Sequence, residues 1–277
     1  MTGMAWLGVL AWIWFALLAI AGQWWPLAGT MSGTSLRQSI EPRRIVTNIS
    51  LSVGNMLVEL VLPATAILAT IVGGAGDFGL LHHLVLPIWA RFALAMVLSD
   101  LLFWVFHVLA HSWPAYWRIH RVHHCDAALD VLTSYRQHPL AVVMAALLQV
   151  AGIAMLGLDP AGVAAYNLLL AFHTPLAHAN LAWPLPFWLC RAIGWLFLRP
   201  SQHALHHSAD SAETNSNYGE VLSVWDRLAG TLCDADADHL RHVRIGLGPP
   251  FDANAARLGR QLMLPLAPLD GPFPTSP

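Results

Sequence analysis

The chain contains no lysine, and only 11% of its 277 residues are charged, where a soluble domain carries roughly 25%. That scarcity, with a net charge of -2, excludes a disordered chain and a basic nucleic-acid binder. Cysteine is equally sparse. Cys125, Cys190 and Cys233 are widely spaced and form no CxxC pair, which excludes a disulfide framework and a zinc knuckle. They read as reduced thiols on a cytoplasmic face. No GxGxxG follows a strand pattern, so the chain carries no sign of a nicotinamide or flavin domain, nor of a haem domain. What is abundant is apolar side chain, at 56%, and histidine: 15 residues against 14 arginines. An integral membrane protein that uses histidine for a purpose fits both counts.

A helix needs about 20 apolar residues to cross the hydrocarbon core. Met4–Ala21, Leu51–Val72 and a run from Leu84 through Phe106 meet that length. Pro139–Leu156 and Pro160–Phe172 flank a break at Leu158-Asp159-Pro160, the pattern of a helical hairpin. The spacing predicts an all-α polytopic membrane protein with four to five transmembrane helices. The first run ends in Ala19-Ile20-Ala21, but no basic residue precedes it, so it reads as a retained helix rather than a cleaved signal. Trp183–Leu198, interrupted by Pro184, Pro186 and Arg191, reads as an interfacial helix. Arginine placement predicts an external N-terminus and cytoplasmic histidine regions. The proline- and alanine-rich stretch from Gly246 to Pro277 reads as loosely ordered.

Eleven histidines fall between positions 107 and 207. His107 and His111 are an i, i+4 pair. His120, His123 and His124 share one helical face, and His203, His206 and His207 repeat that spacing. Neutral imidazole is the commonest protein ligand for iron, zinc and copper. A triplet can divide its nitrogens between two metals, and these clusters supply enough for two ions. A dinuclear iron site that activates dioxygen fits best, because zinc has no redox chemistry. His82 and His83, and His239 and His242, read as solvated. Glu59 falls inside the second predicted helix, where an ionisable group is costly. It lines a substrate tunnel, pairs with Arg91, or is a protonated or snorkelling carboxylate.

The motifs in order resemble the fatty acid hydroxylase and sterol desaturase superfamily of integral membrane di-iron oxygenases. They are Asp100-Leu-Leu-Phe-Trp before His107, Trp117-Arg118-Ile-His120-Arg-Val-His123-His124, Ser134-Tyr-Arg136-Gln-His138-Pro139, and His178-Ala-Asn180. His203-Ala-Leu-His206-His207, Asn217-Tyr218-Gly219 and Trp225-Asp226-Arg227-Leu-Ala-Gly230-Thr231 complete the set, which covers nearly half the chain. The resemblance implies a cytosolic histidine-rich helical cap above a membrane-embedded substrate tunnel. It implies metal ligation by His107, His111, His120, His123, His124, His178, His203, His206 and His207. His173 stands one position from where some members carry a further ligand, and Pro175 is able to shift the register. His138 matches an Arg-x-His-Pro element and is a further candidate, either as a ligand or as a support behind the ligands. Asp100, Asp126, Asp210 and Asp226 are candidates to orient the ligating rings.

These readings divide the chain into N-terminal transmembrane helices (1–90), a catalytic domain (91–235) and a C-terminal tail (236–277). The expected activity is O2-dependent hydroxylation or desaturation of a fatty-acyl, sterol-like or other lipid by two iron ions, for which zinc is a possible substitute on purification. Electrons would come from a separate ferredoxin-like, haem-protein or reductase partner, docked through Arg118, Arg121, Arg199 or Arg227. The alternatives are an ether-lipid or carotenoid oxygenase using the same site, and a zinc or copper transporter or sensor. The lysine-free, alanine-rich composition points to a bacterial inner membrane, and the arginine placement to a site facing the cytoplasm.

Overall fold

The structure is a computed structural model describing residues 3–27, 40–61, 79–183, 185–248, 251 and 254–268. Within these it is helical, with only two isolated β-bridges, Phe197–Leu222 and Ser208–Ile245. The long helices are α1 (Gly3–Trp24), α2 (Pro42–Val61), α3 (Ile88–Ser112), α5 (Pro139–Leu156) and α6 (Pro160–His178). Between α3 and α5 lies the short α4 (Pro114–His124). Then come α7 (Phe187–Leu196), α8 (Pro200–His206), α9 (Ser211–Thr214), α10 (Val224–Ala229), α11 (Ala237–His242) and α12 (Leu258–Met263).

Proline sets many of these boundaries. Pro114, Pro139, Pro160 and Pro200 occupy the first turn of their helices, where a missing N–H costs nothing. The hairpin between α5 and α6 forms where the break was expected. Gly157 closes α5 in the left-handed conformation (φ 68°), and a Cβ there would also collide with the His82 ring. Asp159 then caps α6 by accepting from the N–H groups of Ala161 and Gly162.

The α3 and α5 helices are long and apolar enough to cross a membrane by length and composition; α1 carries a shorter apolar stretch, Leu10–Trp24. Large apolar side chains stand exposed along them, among them Ile88, Trp89 and Val97 on α3 and Leu140, Leu147 and Met155 on α5. Exposed apolar surface on this scale marks contact with lipid or a partner. The second predicted span is described only as far as Val61, and the Glu59 side chain lies outside the described residues.

The α3 helix packs against α4, α5 and α6, while α2 lies on α5 and α1 on α6. At Gly162 a Cβ would strike Ala95 and the Phe92 carbonyl, so α6 and α3 meet backbone to backbone. Pro175, inside α6, has no N–H for the Ala171 carbonyl, which instead accepts from the Tyr135 hydroxyl at 3.4 Å. One turn is thereby tied to the loop that follows α4.

The C-terminal segment departs from the loose tail expected. Residues 254–268 are folded against α2 and α4. Buried Arg121 donates to the carbonyls of Leu264, Ala267 and Pro268, and Arg118 to those of Pro265 and Ala267. A proline- and alanine-rich stretch looks unstructured because its order comes from arginines elsewhere in the chain. These two arginines are therefore structural clamps rather than free docking charges. Arg121→Ala is expected to cost about 1.5–3 kcal/mol per charged hydrogen bond lost, and limited proteolysis should then cut within 254–268. Unchanged resistance to protease would contradict the clamp.

Candidate metal centre

Nine histidines arrive at one place because four helices end there. His107 and His111 occupy the last turns of α3, His120, His123 and His124 those of α4, and His178 is the last residue of α6. His203 and His206 lie on α8, with His207 as its C-cap. Helix C-termini carry partial negative charge, which favours a cation. All nine rings are buried.

The rings sort into two clusters. His107, His111, His120, His124 and His206 present ligand atoms within 4.8 Å of one another, as do His123, His178, His203 and His207. Each triplet is divided: its i, i+4 pair joins one cluster and its third member the other.

Distances and tautomers show what each cluster suits. Neighbouring Nε2 atoms stand 2.9–3.2 Å apart, as in His107–His206, His111–His124 and His203–His207. Such spacings match the edges of a coordination polyhedron with metal–nitrogen bonds of roughly 2.0–2.1 Å. His107 Nδ1 faces the Tyr218 carbonyl at 2.9 Å and His206 Nδ1 faces the Ser216 carbonyl at 2.7 Å. A carbonyl only accepts, so both Nδ1 atoms carry the proton, and both Nε2 atoms are bare lone pairs. Yet these two Nε2 atoms lie 2.9 Å apart. The second cluster repeats the arrangement. His123 Nδ1 donates to the Arg136 carbonyl at 3.2 Å and His178 Nδ1 to the Thr174 carbonyl at 2.8 Å. Their Nε2 atoms are 3.1 Å apart. Facing lone pairs repel unless a cation sits between them. The Nδ1 atoms of His111, His124, His203 and His207 are buried without a hydrogen-bond partner.

A proton is a poor candidate for that cation. Burial pushes His120, His123, His124, His203, His206 and His207 well below the ordinary histidine value of 6.5, and neighbouring rings lower them further. The sign of the resulting pH dependence is definite. Below pH 6.5 the unfolded chain takes up protons that the fold refuses. This part of the stability is therefore complete above 6.5 and lost as pH falls, at up to about 1.4 kcal/mol per pH unit and histidine. Metal-free protein should melt well below its pH 7.5 temperature at pH 5.5. Equal melting temperatures would show that the rings protonate freely.

Backbone order around the site rests on residues that are not ligands. Asn217 adopts a left-handed conformation (φ 51°), and its side-chain amide bonds the Gln202 carbonyl and the Cys233 backbone. This turn aims the Tyr218 carbonyl at His107. Behind the other cluster, Arg44 of α2 pairs with Asp126 (2.7 Å) and Asp130 (2.8 Å). Burial alone would raise the Asp126 carboxyl, but Arg44 and Arg136 outweigh it and hold the group at about 2. Asn48 joins Asp126 to Arg136, whose carbonyl accepts from His123.

The four aspartates expected to orient the imidazoles turn elsewhere. Asp100 accepts from Tyr166 and Trp225, and Asp226 from Trp104, Thr231 and the N–H groups of Tyr218 and Gly219. Asp126 holds Arg44, and Asp210 caps α9. Main-chain carbonyls orient the rings in their place; every residue has one, so no sequence pattern singles them out. Two further histidines stand outside both clusters. His138 caps α5 by accepting from the Leu140 N–H, and His173 lies against the backbone of Leu198 and Glu220. His239 and His242 are exposed, as expected, and His239 bonds Glu213, whereas His82 is half-buried against Gly157. Arg199, read as a docking charge, pairs with Asp234, and Arg227 lies over the Trp195 ring. Sequence reasoning missed Arg44, Asn48 and Glu220.

No solved structure matches the chain. Curated proteins do. Ornithine lipid hydroxylase OlsE of Rhizobium tropici is 30% identical over 149 residues, 53% of this chain and 43% of that protein. Alkylglycerol monooxygenase of Xenopus tropicalis is 30% identical over 139 residues, 48% of this chain and 28% of that protein. Human cholesterol 25-hydroxylase is 24% identical over 154 residues, 55% of this chain and 52% of its own length. The chain thus spans about half, or less, of the curated relatives it matches. The fatty acid hydroxylase model matches residues 92–231, just over half of the chain and a stretch containing all nine clustered histidines, so the chain belongs to the fatty acid hydroxylase family.

Proposed function

We propose that the chain is a membrane-bound, di-iron, O2-dependent oxygenase that hydroxylates or desaturates an unactivated C–H bond of a lipid. One observation carries the metal assignment. Each cluster holds a pair of imidazoles whose protons are committed to carbonyls and whose lone pairs face each other at about 3 Å. Five nitrogens would hold one ion and four the other. Two iron ions bound there would supply the redox chemistry that activates dioxygen, which zinc lacks. The chain itself fixes the rings, keeps them neutral and shuts out water.

Lipid as the substrate class is supported by the relatives, whose names specify an ornithine lipid, an alkylglycerol and cholesterol. The exposed apolar faces of α3 and α5 would place the site beside a bilayer, in our reading the bacterial inner membrane with the histidines on the cytoplasmic side. A separate ferredoxin-like, haem-protein or reductase donor would deliver the electrons.

The test is a lipid profile of cells expressing wild type or His123→Ala. A lipid that gains one oxygen only with the wild type indicates hydroxylation, and one that loses two hydrogens indicates desaturation. Identical profiles, with purified protein that holds zinc and does not react with dioxygen after reduction, would overturn the reading in favour of metal handling.

A further inference from the structure

Where their partners are resolved, the clustered histidines hand the Nδ1 proton to a main-chain carbonyl. His107 alone also faces a carboxylate: its Nδ1 is 2.9 Å from the Tyr218 carbonyl and 3.3 Å from Glu220 Oε1. Among the described residues this is the one carboxylate within ion-pair distance of any of the nine rings. The contact is built rather than casual. Glu220 follows Gly219, whose N–H donates to buried Asp226, and a Cβ at Gly219 would run into the Leu222 carbonyl. The turn therefore has little freedom. His173 lies against the Glu220 backbone, and the side chain is 23% exposed in a site that is otherwise closed.

The four-histidine cluster has no such neighbour among the described residues. His123 and His178 use carbonyls, while the Nδ1 atoms of His203 and His207 have no partner. The two centres thus differ in the group behind their ligands as well as in ligand number; burial and Asp100 push the Glu220 carboxyl up to about 8, and a metal cation bound at His107 would draw it back to the carboxylate. The His107 Nδ1–H is on the Tyr218 carbonyl, and a carboxylate standing beside that N–H adds negative charge next to the ring, which makes the opposite nitrogen a stronger donor to metal.

We propose, building on the di-iron reading above, that Glu220 is a positioning residue for His107 and makes the five-histidine centre the tighter and more electron-rich of the two. The centres are then inequivalent by construction, and one side chain outside the ligand set controls the difference.

The experiment loads wild type, Glu220→Gln and Glu220→Asp with 57Fe2+ under anaerobic conditions. It follows Mössbauer spectra and extraction of iron by a chelator. Wild type should hold two irons with two quadrupole doublets. Glu220→Gln should move one doublet only and weaken one iron by about 10–100-fold, leaving the other iron and the melting temperature of the metal-free protein unchanged. Glu220→Asp, which keeps the carboxylate, should recover most of the lost affinity. Unchanged spectra and extraction in Glu220→Gln would overturn the proposal. So would equal loss of both irons with a lowered melting temperature, which would mark Glu220 as a fold residue. Wild-type protein that takes up no iron would overturn the di-iron reading first, and this proposal with it.

Discussion

A His206→Ala chain should purify with at most one metal ion where the wild type, on the di-iron reading, should hold two, and the proposed lipid oxidation should fall at least about 100-fold, the upper end for loss of a residue that merely supports a ligand. His206 is placed for the largest effect. Its Nε2 is 2.9 Å from that of His107, and its Nδ1 is held by the Ser216 carbonyl. Alanine leaves His107 with nothing to share a cation with at that edge. The four-histidine cluster shares no member with the first, so it should still load. Metal content by plasma emission, measured alongside turnover, separates the outcomes. Two ions retained in His206→Ala would show that this lone pair holds no metal.

The second large effect concerns stability. Asp126→Ala should cost about 3–5 kcal/mol, because it strands a buried guanidinium. Arg44 is only 4% exposed and gives Asp126 two bonds, from Nε at 2.7 Å and Nη2 at 2.9 Å. Asn48 and Thr133 lose an acceptor as well. Asp130 remains as a partner for Arg44, which places the cost toward the lower end of that range. The consequence should reach the site, since Arg136 both bonds Asn48 and offers its carbonyl to His123. Thermal melts and metal content should fall together, with the four-histidine centre emptying first. Arg44→Met combined with Asp126→Leu removes both charges and should melt above Asp126→Ala. A double variant no better than the single one would show that the network, not the stranded charge, sets the cost.

How much of this was legible in the sequence follows from which interactions are periodic. The i, i+3, i+4 spacing of the two triplets fixes which rings share a face, while the division of each triplet, its i, i+4 pair in one cluster and its third member in the other, comes from the structure. Helix starts are equally visible, because Pro114, Pro139, Pro160 and Pro200 announce them. Partners of the rings are a different matter. A search for carboxylates picks out Asp100, Asp126, Asp210 and Asp226, but the acceptors turn out to be backbone atoms of residues 136, 174, 216 and 218. Glu220 carries a signal only once the Asn217-Tyr218-Gly219 turn is known to point at His107. The order of residues 254–268 was hidden for the same reason, since it comes from arginines on α4, far off in the sequence.

The convergence of helix ends at the centre has a consequence for the topology of the chain. His107 and His206 are 99 positions apart, and His123 and His178 are 55 apart, yet each pair would share one ion. Cys125, Cys190 and Cys233 form no disulfide. Metal coordination would then tie together segments distant in sequence, as disulfides do in secreted proteins, but it would act by binding the folded chain alone, so its stabilisation would grow with the free metal concentration. Two ions that tie α3 and α4 to α6 and α8 would bind the middle of the chain into one cooperative unit, so the centre proposed to perform the chemistry would also fasten the fold.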